Sequence, residues 1–199
     1  MNKTQLIESL KQQGFSKQIL QAFEKIKRKD FVLENMKYRA YYDTALPIGY
    51  AQTISQPYTI AIMLSLLELK PKQKVLEVGS GCGYVLALIN TITSSKVYGI
   101  EIVKELADKS KQNLKNYNVE IYNKNGAQGL PDEAPFDRIL ISATCEKIPE
   151  KLFSQLKENG LIVAPVGLPH DCSILTIQKI KGKPVIKKKI SGFRFVAFI

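Results

Sequence analysis

The stretch Lys74-Val-Leu-Glu-Val-Gly-Ser-Gly-Cys-Gly-Tyr84 decides the fold class of this chain. It begins as a short apolar strand containing one acid and continues as a glycine-rich turn that opens a helix. Gly79, Gly81 and Gly83 carry no Cβ and accept positive φ, so the backbone can approach a ligand closely. The unpaired N–H groups at the start of the helix would face that ligand. This pattern predicts a nucleotide-like cofactor bound at the end of a strand.

The spacing of the glycines narrows the choice of cofactor. A dinucleotide-binding turn has the order Gly-x-Gly-x-x-Gly, which would place glycine at position 84, where this chain has tyrosine. The order Gly-x-Gly-x-Gly, with Glu77 before it, instead resembles the turn of S-adenosylmethionine-dependent methyltransferases. A second acid, Glu101, ends the next apolar run, 22 residues after Gly79. An acid near this distance is expected to bind ribose hydroxyls; the alternative is an exposed charge that caps the following helix.

The composition limits the class of protein. The 199 residues, 45% of them hydrophobic, suffice for one domain with a substantial core. No apolar run has the length of a membrane span, and the N-terminal residues lack the apolar core of a signal peptide, so we expect a cytoplasmic protein. Three widely spaced cysteines suit a reducing compartment. Because there is a single histidine, we expect neither a metal site nor histidine-dependent acid–base catalysis.

The net charge of +11 comes largely from lysines near both ends of the chain. Basic patches can bind nucleic acid, but few aromatic residues lie among these lysines to stack on bases. We therefore interpret them as a solvated face that protects an edge strand from self-pairing. Weak, salt-sensitive binding to polyanions is still expected.

Apolar spacing predicts an N-terminal helical extension followed by alternating strands and helices. Residues 30–55 follow neither period and form a long connecting segment, a kind that is often functional. Pro57 begins a helix through about residue 69, with its N-cap at Ser55 or Gln56. Strands are predicted at 74–78, 97–101, 119–123, 137–142 and 161–165, and helices at 84–92, 103–116 and 149–157. Gly160 is expected to end the last of these helices.

These elements predict an α/β fold, a Rossmann-like, doubly wound and mostly parallel sheet with an antiparallel edge. The antiparallel edge comes from a hairpin of strands 173–180 and 184–190 and a further strand over 193–199. We expect one domain over 1–199. Its parts are 1–70 (helices and substrate loop), 71–167 (cofactor-binding core) and 168–199 (C-terminal strands).

The segment Leu46-Pro-Ile-Gly-Tyr-Ala-Gln-Thr-Ile-Ser-Gln-Pro57 closely resembles protein-L-isoaspartate O-methyltransferases. Segments 133–137, 148–150, 155–157 and 165–167 match in order and spacing, so the resemblance covers nearly the whole chain. It implies methyl transfer from S-adenosylmethionine to the free α-carboxylate of L-isoaspartyl residues in damaged proteins and peptides. The ester cyclises to a succinimide that can reopen to aspartate, which initiates repair. A monomer is implied.

The resemblance assigns the acceptor side to the segment before the first long core helix. Ser55 matches the active-site serine, whose hydroxyl would hold the substrate carboxylate, while Gln52, Thr53 and Ile54 would line the substrate channel. The alternatives are an N-cap role for Ser55 and loop packing for Thr53 and Ile54.

The resemblance assigns the donor side to the glycine turn and to three strand ends. Glu77 would lie near the amino group of the donor, Glu101 on its ribose and Ile102 against its adenine. The residues that would wrap the methionine portion are Gly79, Ser80, Gly81 and Gly83. The segment Lys124-Asn125-Gly126 stands where relatives carry Gly-Asp-Gly beside the adenine amino group, so Asn125 and Gly126 would bind the cofactor there. An asparagine still accepts a hydrogen bond but without charge assistance, so we expect weaker donor binding.

The implied reaction agrees with the composition, because a carboxylate is already ionised at neutral pH and needs alignment more than a base. Two alternatives stay open. One is a methyltransferase of this fold acting on another carboxylate or on RNA, although Ser142-Ala-Thr-Cys145 lacks the Asn/Asp-Pro-Pro-aromatic pattern of many base methyltransferases. The other is a non-catalytic relative with weakened donor binding.

Overall fold

A computed structural model describes residues 1–198. Its α-helices are α1 (Lys3–Gln12), α2 (Lys17–Lys25), α3 (Pro57–Leu66), α4 (Tyr84–Thr93), α5 (Lys104–Asn113) and α6 (Glu150–Ser154). Its strands are β1 (Leu46–Gly49), β2 (Gln52–Ile54), β3 (Val75–Val78), β4 (Val97–Glu101), β5 (Val119–Asn123), β6 (Phe136–Ile141), β7 (Leu156–Leu168), β8 (Asp171–Ile180) and β9 (Lys183–Phe193). Short 3-10 helices span Arg28–Phe31, Glu34–Arg39, Gly126–Gln128 and Pro131–Glu133. Over residues 1–198, none of the helices is long and apolar enough to cross a membrane.

The main sheet has the strand order β5-β4-β3-β6-β7-β8-β9. The strands from β3 to β7 pair in parallel, whereas β8 and β9 pair antiparallel at one edge. The predicted α/β fold with an antiparallel edge and an N-terminal helical extension is therefore confirmed. The strand order reverses between β3 and β6, and ligands of such sheets bind at the carboxyl ends of the strands beside this reversal.

Two apolar clusters cover the two faces of the sheet. One packs the N-terminal helices and α4 against it, with Phe23 and Tyr84 almost fully buried. The other lies under α6 and contains Phe136 and Ile139. Every residue of β3 is buried, as expected for a central parallel strand with helices on both faces.

The predicted helix over 149–157 is wrong at its C-terminal end. Helix α6 stops at Ser154, and β7 begins at Leu156, which pairs with Phe136. Gln155 explains the early stop, because its side chain accepts the Leu130 N–H (2.8 Å) and its carbonyl accepts the Phe136 N–H (2.9 Å). Gly160 lies inside β7 and does not end a helix. Tertiary pairing has overridden the local helical pattern.

The predicted strand over 193–199 is also wrong. Strand β9 ends at Phe193, and its penultimate residue, Gly192, has a positive φ of 91°. Residues 194–198, here called the C-terminal strap, then cross the carboxyl ends of the strands, and Ile199 lies outside the described residues. The strap is fixed on Thr144, whose N–H donates to the Val196 carbonyl (2.8 Å) and whose carbonyl accepts the N–H of Phe198 (2.8 Å).

Candidate active site

The glycine turn lies between the end of β3 and the start of α4. Gly79, Gly81 and Gly83 all have positive φ, at 79°, 52° and 85°. At Gly83 a Cβ would lie 2.4 Å from the Ser110 Oγ and 2.6 Å from a Leu114 methyl carbon. Both conformation and space therefore require glycine at position 83. The turn is held against β4, because the N–H of Gly79 donates to the Ile100 carbonyl (2.8 Å).

Glu101 fixes the glycine turn from the end of β4. Its Oε2 accepts the Gly81 N–H (2.7 Å), and its Oε1 accepts the Val103 N–H (3.0 Å). The side chain is 5% exposed, so the alternative of an exposed charge is wrong. An ionised carboxylate has about four acceptor positions. The two that remain can accept hydrogen bonds from a ligand in the adjoining cleft.

Glu77 is the buried acid at the centre of the site. The Ser142 hydroxyl donates to its Oε1 (2.7 Å), whereas its Oε2 is buried and has no partner among the described residues. Burial raises the pKa of Glu77 to about 8; the Ser142 hydrogen bond opposes this shift and the charge of Glu101 adds to it. A buried oxygen without a partner is costly, so Glu77 is suited to a cationic ligand that contributes a donor.

The hairpin β1–β2 provides the other side of the site. The pairing of Leu46 with Ile54 defines its register, and Tyr50 and Ala51 form its turn with φ of 54° and 55°. Positive φ at both turn positions matches the twist of a tight hairpin. Gln52 is half-buried and Thr53 is exposed. The sequence pattern did not predict this hairpin, because β1 and β2 are too short to show a period.

Ser55 follows the hairpin directly and does not cap α3. The N-cap is Gln56, without a side-chain capping bond, and the Tyr58 N–H in the first turn donates to Asp43 Oδ1 instead (2.8 Å). The capping alternative for Ser55 is therefore wrong. Because Asp43 accepts the N–H of Tyr58 in the first turn of α3, the Ser55 hydroxyl is not needed for capping and can bind a ligand.

Three cavities adjoin around these residues. The first has an empty volume of about 460 Å³ and is lined by Ile54, Ser55, Glu77, Ser80 and Tyr84, among others. The second, of about 530 Å³, is lined by Gln52, Glu101, Ile102, Gly126, Val196 and Phe198, among others. The two share Ile48, Thr53, Gly79, Gly81 and Ser142. A third, of about 350 Å³, is lined by Thr53, Ser55, Gln56, Thr59 and Arg194, among others. Ser55 thus lies between the first cavity and the third.

Most of the predicted site residues border this cleft, with two exceptions. Gly83 lies behind the turn, where it packs against α5. Asn125 is exposed, and its Oδ1 accepts the Ala127 N–H (2.8 Å), which caps a 3-10 turn. Only its neighbour Gly126 borders the cleft, where a Cβ would lie 2.3 Å from Val78.

Sequence reasoning missed Ser142 and the C-terminal strap as parts of the site. Ser142 directly follows β6, so the rule that ligands bind at the carboxyl ends of strands could have identified it. No sequence feature could have identified Val196 and Phe198, because the aromatic and β-branched residues around them are equally typical of a strand.

The whole chain is similar to known proteins of one family. The family model for protein-L-isoaspartate(D-aspartate) O-methyltransferase matches residues 1–199. A protein-L-isoaspartate O-methyltransferase of Archaeoglobus fulgidus is 42% identical over 200 residues, covering 98% of this chain and 91% of the relative. One from Methanopyrus kandleri is 38% identical over 205 residues, with 99% and 91% covered. A Plasmodium falciparum structure described as a protein-L-isoaspartate O-methyltransferase in complex with S-adenosyl-L-homocysteine superposes with a TM-score of 0.88. It is 27% identical, with 100% of this chain and 99% of the other covered.

Proposed function

Because this chain belongs to the protein-L-isoaspartate O-methyltransferase family, we propose how its own residues carry out the family's reaction. That reaction is S-adenosylmethionine-dependent methylation of L-isoaspartyl residues in damaged proteins, and the family assignment confirms the activity predicted from the sequence. When bound, S-adenosylmethionine supplies a methyl group activated by its positively charged sulfur. The protein has to bind the donor, orient an acceptor carboxylate and exclude water.

The donor side fits S-adenosylmethionine by its polar groups. The unpaired Oε2 of Glu77 would accept a hydrogen bond from the donor's ammonium group, which would also stabilise the ionised carboxylate. The remaining acceptor positions of Glu101 would take the ribose hydroxyls. Ile102, which is 39% exposed at the cleft, would cover the adenine together with Gly126. The orphaned oxygen of Glu77 is the observation that carries this assignment.

The remaining residues of the donor side would shape the cleft around the donor. Gly79, Ser80 and Gly81 would enclose the methionine portion, and Gly83 would support them from behind. Asn125 would act indirectly, because its cap on the Ala127 N–H sets the turn that places Gly126 at the cleft.

The acceptor side is centred on Ser55. Its hydroxyl would donate to one oxygen of the isoaspartyl α-carboxylate and leave the other oxygen facing the donor. No base is required, because a carboxylate is ionised at neutral pH and is itself the nucleophile. Gln52, Thr53 and Ile54 would form the channel wall, and the polar third cavity would admit the substrate backbone.

We further propose that the protein is a cytoplasmic monomer that binds polyanions weakly. The three cysteines are free and buried, which supports a reducing, cytoplasmic compartment. Lysines 183, 187, 188 and 189 lie along the edge strand β9 and would repel a second copy of that edge, which supports a monomer. The same lysines would give weak binding to polyanions.

The exchange Ser55→Ala tests the acceptor assignment. The value of kcat/KM for an isoaspartyl peptide should fall by about tenfold to a hundredfold, as expected for loss of a hydrogen bond to a charged group. The affinity for S-adenosylhomocysteine, measured by calorimetry, should stay unchanged. Ser65→Ala, an exposed serine later in α3, is the matched control. Unchanged turnover in Ser55→Ala would contradict the assignment, and an equal loss of donor affinity would give Ser55 a structural role instead.

A further inference from the structure

Arg28 is a buried cation that the reaction described so far does not use. It lies in the 3-10 turn Arg28–Phe31 and is 0% exposed. Among residues 1–198 it forms no ion pair, and its Nε has no hydrogen-bond partner. Burying a charge without a carboxylate partner costs free energy. Such a residue calls for an explanation beyond packing.

The hydrogen bonds of Arg28 converge on the segment that carries Ser55. Its Nη1 donates to the Ala40 carbonyl (3.3 Å). Its Nη2 donates both to the Thr44 carbonyl (3.2 Å) and to the Ser55 carbonyl (3.1 Å). Thr44 and Ser55 flank the hairpin β1–β2 on its two sides. One guanidinium nitrogen therefore closes the base of the hairpin and fixes the backbone of Ser55.

The positive charge of Arg28 also lies directly behind the first cavity. Its Cζ is 5.9 Å from the ring centroid of Tyr84, and Tyr84 lines that cavity together with Ser55. Asp43 is a nearby carboxylate, and its Oδ1 is engaged by the Tyr58 N–H. Among residues 1–198, Arg28 contacts carbonyl oxygens and the Tyr84 ring but forms no ion pair, so its charge is left to attract an anion at Ser55.

We propose that Arg28 is a positioning residue that holds Ser55 in place and makes its site selective for a negatively charged acceptor group. The inference rests on the proposed role of Ser55. Arg28 would have two roles. Its hydrogen bonds to the carbonyls orient the hairpin, and its charge favours a carboxylate over a neutral group of the same shape.

The test compares Arg28→Met, which removes charge and donors, with Arg28→Lys, which keeps the charge. Arg138→Met is the matched control, because Arg138 is also buried and donates to the Leu67 carbonyl (2.6 Å), but it lies near the start of β6 and lines none of the three cavities. The main readout is a binding ratio, the affinity for an isoaspartyl peptide divided by that for the same peptide with an α-carboxamide. The values of kcat and KM, S-adenosylhomocysteine affinity and Tm are measured alongside.

Arg28→Met should lower the carboxylate-to-carboxamide ratio by about tenfold and raise KM, while S-adenosylhomocysteine affinity is retained. Arg28→Lys should keep the ratio but lower kcat, since a single ammonium on a flexible stem cannot replace the planar guanidinium, whose two terminal nitrogens together hold the carbonyls of Ala40, Thr44 and Ser55. Arg138→Met should lower Tm and leave the ratio unchanged.

A wild-type ratio in folded Arg28→Met would overturn the selectivity role, and an unchanged kcat in Arg28→Lys would overturn the positioning role. If Arg28→Met does not fold, Arg28→Lys decides, since lowered kcat with a retained ratio supports the proposal. The absence of any carboxylate preference in the wild-type protein would instead contradict the Ser55 site itself, and this inference with it.

Discussion

Burial and hydrogen bonding give the acids of the cleft different tasks. Glu101 is surrounded by backbone N–H groups that stabilise its charge. Among residues 1–198, Glu77 has only the Ser142 hydroxyl as a hydrogen-bond partner, and burial raises its pKa to about 8. The free protein therefore holds much of Glu77 protonated at neutral pH. A cationic ligand would shift Glu77 towards the ionised form, so the proposed binding of the donor at Glu77 predicts that donor binding and the ionisation of Glu77 are linked.

This pKa predicts how stability depends on pH. The folded-state pKa of Glu77, about 8, lies above the ordinary value of 4.5. A raised pKa contributes stability that is fully present below the unfolded-state value and is lost as pH rises through the folded-state value. Glu77→Gln cannot ionise, so its Tm relative to the wild type should increase steadily between about pH 5 and pH 8. Thermal unfolding of both proteins across this range measures the effect.

A constant difference in Tm from pH 5 to pH 8 would contradict the raised pKa. Glu77→Gln should also bind S-adenosylhomocysteine at least about tenfold more weakly, because the pairing with the ammonium group is lost. The control is Glu68→Gln, an exposed acid outside the cleft, which should change neither quantity.

At the scale of elements, the glycine turn depends on close packing as well as on conformation. Gly83→Ala would place a Cβ against Ser110 and Leu114 at a positive φ. We expect it to lower the free energy of unfolding by about 3 kcal/mol or more. Gly14 has a similar φ of 83° but no atom within 4 Å of the Cβ position, so Gly14→Ala should cost only about 1 kcal/mol. Urea unfolding of both variants measures the difference, and equal costs would contradict the packing role.

The C-terminal strap lines the second cavity, where we propose that the donor binds. Phe198 lines the second cavity, and its ring lies 3.4 Å from the Cβ position of Gly126. Phe198→Ala should therefore weaken S-adenosylhomocysteine binding by about tenfold through lost apolar contact. Ile186→Ala, on β9 with 62% of its surface exposed, is the control. Equal affinities of the two variants, measured by calorimetry, would show that the strap does not contact the donor.

The same elements show which parts of the structure could be predicted from the sequence and which could not. The turn from Gly79 to Gly83 was predictable because local backbone chemistry determines it. The early end of α6 and the path of the strap were not, because side-chain contacts of Gln155 and backbone pairing with Thr144 decide them. Contacts between residues far apart in the chain leave no local period in the sequence.

For the whole molecule, the order of the strands brings the two halves of the site together. Ser55 precedes the sheet in the chain, whereas Glu77, Glu101 and Ser142 lie at or beside the carboxyl ends of β3, β4 and β6, which meet at one edge of the sheet. Ser55, Glu77 and Glu101 were named from the sequence, whereas Ser142 was not. The adjoining cavities that these residues line, and the buried Arg28 behind the first of them, are visible only in the fold, because no sequence pattern indicates that a cation lacks an anionic partner.

Methyl transfer to an isoaspartyl peptide, compared with transfer to the same peptide bearing normal aspartate, tests whether this protein methylates isoaspartyl residues. The donor is S-adenosylmethionine with a labelled methyl group, and binding of S-adenosylhomocysteine verifies that the protein is folded and competent. We expect the labelled methyl group in the isoaspartyl peptide and none in the aspartyl peptide. Protein that binds S-adenosylhomocysteine yet labels neither peptide would contradict it.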